Sequence, residues 1–188
     1  MAWTQGKETT KEAIEAKLKI IGGDMLKIEY LENSLKQQLA FDVRKFVYMK
    51  VAEVYEMKLM FNEAAKNMDG AAEVSNTYKE KRENYIREAE LWIKAVQYDR
   101  ADEATGKALA SSNTGEKADV KKRIKDFYAQ KAKEFENMNK NNNAIKVYEK
   151  LVSYSFVPEE EKRQINQKLA KLYARVGKVQ DAMRLEGK

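Results

Sequence analysis

Three groups of residues in this chain have the types that ligands and reactions need. Glu159-Glu160-Glu161 and the trio Asp99, Asp102 and Glu103 gather carboxylates that in principle suit a hard cation. Neither has the spacing of a calcium-binding loop or a Glu-x-x-His pairing, and both read more simply as helix caps and solvated turns. Gly22-Gly23-Asp24 lacks the lysine and the preceding strand that a phosphate-binding loop needs. The third group is the basic run Val120-Lys121-Lys122-Arg123-Ile124-Lys125, extended by Lys131 and Lys133. Such a run suits RNA phosphates or an anionic lipid surface. Asp119, Asp126 and Glu134 interrupt it, and a helical core needs Ile124, Phe127 and Tyr128, so the simpler reading is a solvated face.

What is missing narrows the chemistry further. The 188 residues include no histidine and no cysteine. That removes the usual general base, the commonest metal ligand, thiolate nucleophiles and disulfides. No catalytic residue, metal site or cofactor is expected, and the protein does not read as an enzyme. Its net charge of +6 comes from 36 basic and 30 acidic side chains, with lysine far outnumbering arginine. A lysine surplus is a solubility device as readily as a phosphate footprint. The first residues lack the apolar centre of a signal peptide, and no stretch approaches 18 apolar residues. The expectation is a soluble, cytoplasmic protein that is not integral to a membrane.

The elements that would position these groups announce themselves through repetition. Tyr48/Ala52/Tyr55/Ala64, Tyr85/Ala89/Trp92/Ala101, Tyr128/Ala132/Phe135/Ala144 and Asn166/Ala170/Tyr173/Ala182 share internal spacings of 4, 3 and 9, and start 37, 43 and 38 residues apart. The first three positions fall on one face of a helix, and the second alanine lies beyond a turn on a helix that folds back. Small residues at the crossing let the paired helices approach closely. Turns are expected at Tyr98-Asp99-Arg100, within Asn139–Asn143 and at Val176-Gly177-Lys178. Ser75–Thr77, Ser111–Gly115 and Ser153–Ser155 separate the repeats, and Pro158 with Glu159–Glu161 opens a helix.

Ahead of the first copy lies a less regular hairpin. Thr9 and Glu12 form a capping box, Ile14, Leu18 and Ile21 form an apolar stripe, and Gly22-Gly23 ends the helix. Residues 24–69 contain no glycine and no proline, so local signals permit one long helix; the repeat register instead puts breaks near Lys36–Gln38 and Leu59–Phe61. The expected organisation is a disordered lead (1–8), a degenerate hairpin (9–40) and four regular hairpins in one continuous array (41–188). Met183 and Leu185 are left to cover the preceding unit, and the C-terminal hairpin, lacking a neighbour on one side, is expected to offer a surface for self-association.

The signature resembles the tetratricopeptide repeat: bulky, small four later, aromatic three later, alanine nine further on. The resemblance covers roughly residues 45–187 and departs at Asn166, at the single inter-helix glycine Gly177, and in a period nearer 40. That longer period is similar to the soluble attachment proteins that link an AAA ATPase to helical bundles. The resemblance implies an all-α fold, a right-handed array of antiparallel helix hairpins, whose first helices line a concave groove. It therefore implies a binding set of Glu53, Glu56, Met57, Glu90 and Lys94 toward one end, and Lys133, Asn137, Lys171 and Arg175 toward the other. The groove would be acidic at its N-terminal end and basic at its C-terminal end. The implied function is a non-catalytic scaffold or adaptor that binds a peptide or helix of another protein. The alternatives are an adaptor for a helical bundle or AAA ATPase, and a nucleic-acid or anionic-membrane adaptor working through Lys121, Lys122, Arg123 and Lys125.

Overall fold

The computed structural model describes residues 6–186, and among them the chain is all-α, with ten helices and no strand. The chain forms two compact units, residues 1–120 and 121–188. In the first unit are α1 (Lys11–Ile20), α2 (Asp24–Leu35), α3 (Phe41–Met57), α4 (Phe61–Glu73), α5 (Tyr78–Lys94) and α6 (Tyr98–Ala110). The next helix, α7 (Thr114–Asn137), spans the division. The second unit continues with α8 (Asn141–Ser153), α9 (Glu159–Arg175) and α10 (Val179–Glu186). From α2 to α6 each helix packs on the next in chain order, which is the packing of a helical solenoid. In the second unit α9 packs on both α8 and α10.

The repeat signature is the packing code. Ala52, Ala89, Ala132 and Ala170 are all buried, and so are their counterparts Ala64, Ala101, Ala144 and Ala182. A buried Cβ with nothing beyond it is what allows two helix backbones to approach. The breaks that the register requires are present: α2 ends at Leu35, and α3 and α4 are separated between Met57 and Phe61.

All four hairpin turns share one geometry. The residue four beyond the signature aromatic takes a left-handed backbone: Leu59 (φ 59°), Val96 (φ 63°), Asn139 (φ 56°) and Gly177 (φ 79°). The next amide then donates back to the carbonyl of that aromatic: Met60 to Tyr55 (2.9 Å), Gln97 to Trp92 (2.9 Å), Lys140 to Phe135 (2.8 Å) and Lys178 to Tyr173 (2.9 Å). The left-handed residue itself donates to the carbonyl three back, as in Leu59 to Glu56 at 2.8 Å. Together these bonds make the Schellman closure of a helix C-terminus. Glycine adopts this conformation freely, whereas Leu59 and Val96 do so against a Cβ penalty.

Three local expectations need correction. The second hairpin turns at Ala95–Gln97, because Tyr98-Asp99-Arg100 already forms the first turn of α6. Likewise Asn141–Asn143 opens α8 rather than extending the preceding loop. Acidic and amide side chains suit a helix start as well as a turn. The first cap is Thr10, which accepts from the Ala13 amide at 3.3 Å, not Thr9. A full capping box does occur at Asn113 and Glu116, each accepting the other's backbone N–H at 3.0 Å.

Of the lead, residues 1–5 lie outside the described residues. Gly6 passes so close to Ser34 that a Cβ there would lie 2.3 Å from the serine oxygen, and Glu8 accepts the Tyr30 hydroxyl at 2.9 Å. Tyr30 sits beside Ile28, Leu31, Val47 and Val51 in the apolar core of the first unit.

Candidate functional site

Side chains one, four and five residues past the signature alanine share a face of the first helix in each hairpin. In the first unit that face belongs to α3 and α5, and its charges are already matched. Glu56 of α3 takes Lys94 of α5 at 2.9 Å, and Lys94 also takes Glu90 at 2.9 Å. Arg87 bridges the same two carboxylates. Burial alone would raise the Glu90 carboxyl, but hydrogen bonds from Lys94 and Arg87 outweigh it and hold the group below its ordinary range. Burial would likewise lower Lys94, and its bonds to Glu90 and Glu56 reverse the direction. Glu53 is held by Lys50 at 2.9 Å, while Met57 is exposed. All three carboxylates expected to make this end acidic therefore hold a cation.

The second unit is organised differently. The part of α7 beyond residue 120, together with α8 and α9, encloses a cleft of about 590 Å³. Asp126, Gln130 and Lys133 of α7 form one wall, and Glu161, Gln164 and Lys168 of α9 form the other. Tyr148 and Leu151 of α8 make the floor. Lys125 binds both oxygens of Glu161 at 2.7 Å, and Lys168 stands 5.7 Å above the Tyr148 ring. The Tyr148 hydroxyl in turn donates to Glu136. Lys133, in contrast, is exposed on the wall.

Of the residues implied as a binding set, the cleft gathers only Lys133. Asn137, Lys171 and Arg175 are exposed and lie outside its walls. On α9 the cleft uses Glu161, Gln164, Ile165 and Lys168, an i, i+3, i+4, i+7 stripe nearer the helix start than Lys171. The basic run does not form one patch either. Successive helix residues turn by about 100°, so Ile124 is buried, Lys122 is exposed and Lys125 turns into the cleft toward Glu161. Sequence reading missed Arg87 and Lys168. Arg87 and Glu90 stand three apart, a legible helix pair, but Arg87–Glu56 joins residues 31 apart.

Charge divides along the same boundary. Residues 121–188 carry 17 basic and 9 acidic side chains, a net of +8, whereas residues 1–120 carry 19 and 21, a net of −2. Among the described residues no three His, Cys, Asp or Glu side chains converge on a metal position. Among them, too, no helix is long and apolar enough to cross a membrane.

No family model matches the chain, and no curated protein matches it. Two solved structures of MamA are similar to it. One is 18% identical over 93% of this chain and 85% of the other, with a TM-score of 0.42. The second is 16% identical over 93% and 88%, with a TM-score of 0.39. A likeness that distant says nothing about ligand or partner.

Proposed function

We propose that this chain is a non-catalytic, cytoplasmic interaction scaffold that binds a helix or peptide of another protein on the α7–α9 face of residues 121–188. The observation that carries this reading is the contrast in how charge is used. On the α3–α5 face, Glu56 and Glu90 are matched by Arg87 and Lys94. The α7–α9 cleft has an apolar and aromatic floor, Leu151 and Tyr148, and offers Lys133 and Lys168 at its walls. That combination suits a segment with an apolar anchor and acidic side chains around it. The net +8 of residues 121–188 would draw such a segment in. A groove acidic at one end and basic at the other, as the repeat resemblance implies, would take a bipolar segment. The proposed ligand is acidic instead, because Glu53, Glu56 and Glu90 already hold cations.

Selection from a phage-displayed library of random 20-residue peptides tests the proposal. Enriched peptides should combine acidic and apolar residues, and should bind a Lys133→Glu/Lys168→Glu variant at least tenfold more weakly. Winners that bind the double variant equally well would refute the site. A polyanion reading, through Lys121, Lys122 and Arg123, predicts something else: tight binding of single-stranded RNA or phosphatidylserine vesicles that collapses steeply between 50 and 200 mM salt.

A further inference from the structure

The fourth signature copy breaks its own rule at one position, and a cleft opens there. In the first three copies the leading residue is tyrosine. Tyr48 of α3 lies so close over Gly70 of α4 that a Cβ on the glycine would come within 2.8 Å of the ring. Tyr85 of α5 fills the space between the two second helices that flank it: its hydroxyl donates to Glu73 of α4, and Lys107 of α6 lies 5.3 Å from its ring centroid. Tyr128 of α7 is fully buried, its hydroxyl 3.0 Å from that of Tyr154.

In the fourth copy the same place holds Asn166, too short to span it. What remains is a cleft of about 330 Å³ between α8 and α10, over α9. Its base is apolar, with Leu169 and Tyr173 of α9, Val152 of α8 and Leu185 of α10. Its rim is polar, with Glu149, Asn166, Asp181 and Arg184. Glu149 already accepts the Tyr173 hydroxyl through one oxygen, leaving the other for a second donor. An apolar base with a carboxylate at the rim is the setting that Tyr85 meets within the chain, where Glu73 takes its hydroxyl.

We propose that the cleft between α8, α9 and α10 is a socket for a tyrosine side chain presented by a partner protein. The occupant is inferred from the chain's own repeats: wherever the fold leaves this space in the earlier copies, it closes it with a tyrosine. The socket lies apart from the α7–α9 cleft, with which it shares no lining residue, so it stands or falls independently of that reading.

The test titrates the full chain with p-cresol, the tyrosine side chain alone, and with N-acetyltyrosinamide, following the methyl resonances of Val152, Leu169 and Leu185. Saturable shifts are expected in the wild type and in Asn166→Ala. In Asn166→Tyr they should be lost, because the chain then fills its own socket, and that variant should melt at a higher temperature. Toluene and N-acetylphenylalaninamide should bind at least threefold more weakly, for want of the hydroxyl. If Asn166→Tyr fails to fold, Val152→Phe blocks the socket from the opposite wall and should abolish the shifts equally. Shifts that persist in both blocked variants, or no saturable shift in the wild type, would overturn the proposal. So would equal affinity for toluene and p-cresol. Self-association abolished by Asn166→Tyr would also overturn it, by making the occupant a second copy of this chain.

Discussion

The hairpins α5–α6 and α9–α10 carry the same signature and differ at most of the positions around it. Where α5 has Tyr85, Glu88 and Trp92, α9 has Asn166, Leu169 and Tyr173. The first set is closed upon itself: Trp92 donates to the buried Glu88 at 3.0 Å, and Tyr85 donates to Glu73. The second leaves a cleft beside Asn166. The turns differ as well, with Val96 forced into a left-handed backbone that Gly177 adopts freely. On the first-helix face, Glu90 and Lys94 bind each other and their neighbours, whereas Lys171 and Arg175 are exposed. One backbone code thus supports a hairpin that spends its polar groups internally and another that leaves them exposed.

That difference can be broken from the inside outward. Ala89 is fully buried, with helices packed on both sides of α5, so Ala89→Leu should cost up to about 3 kcal/mol. The same change at Ala170 should cost nearer ~1 kcal/mol, because its paired helix α10 is only eight residues long and can yield more easily. Urea unfolding of both variants checks this, and equal costs would argue that the two hairpins are equally constrained.

Glu88 sharpens the comparison through pH. Burial, reinforced by Asp69 and Glu103 and opposed by Trp92 and Lys107, pushes its carboxyl up to about 7. One of its oxygens is buried without a hydrogen-bond partner. A raised carboxyl favours the protonated form in the fold, so its stabilising contribution is complete below the ordinary value of 4.5 and is lost as pH rises through about 7. Glu88→Gln should therefore stabilise the protein at pH 8, by on the order of 2 kcal/mol, and change little at pH 4.5. Thermal unfolding at the two pH values decides it. No pH-dependent difference between wild type and variant would mean that Glu88 titrates as an ordinary carboxylate.

Smaller effects are expected at the turns. Val96→Gly should stabilise by about 1 kcal/mol by relieving the left-handed Cβ penalty, and Gly177→Val should destabilise by a similar amount. If Val96→Gly destabilises, the 39% exposed Val96 side chain makes a contact worth more than its strain.

How much of this the sequence discloses depends on the distance between partners. The 4, 3, 9 spacing is local, and it suffices for the helix pairs, the buried alanines and the breaks between 35 and 61. The aromatic position even marks each turn, since its carbonyl closes the Schellman bond whether Leu59, Val96, Asn139 or Gly177 follows. The exact edges of turns escaped, because asparagine and aspartate suit a helix start and a loop alike. The sites escaped for a different reason. Glu56 finds Arg87 across 31 residues and Lys125 finds Glu161 across 36. Whether a charge on a helix face is free or matched is decided by the neighbouring hairpin, and no single-helix pattern records that.

The most direct measurement places a photocrosslinking benzoylphenylalanine at Gln130, on the wall of the α7–α9 cleft, or at Glu53, on the α3 face. Each protein is then irradiated with the selected acidic peptide. Crosslinks that free peptide competes away are expected from position 130, and none above background from position 53. Equal or stronger crosslinking from position 53 would contradict the proposed site, because the face whose charges are already matched would then be the one that receives the partner.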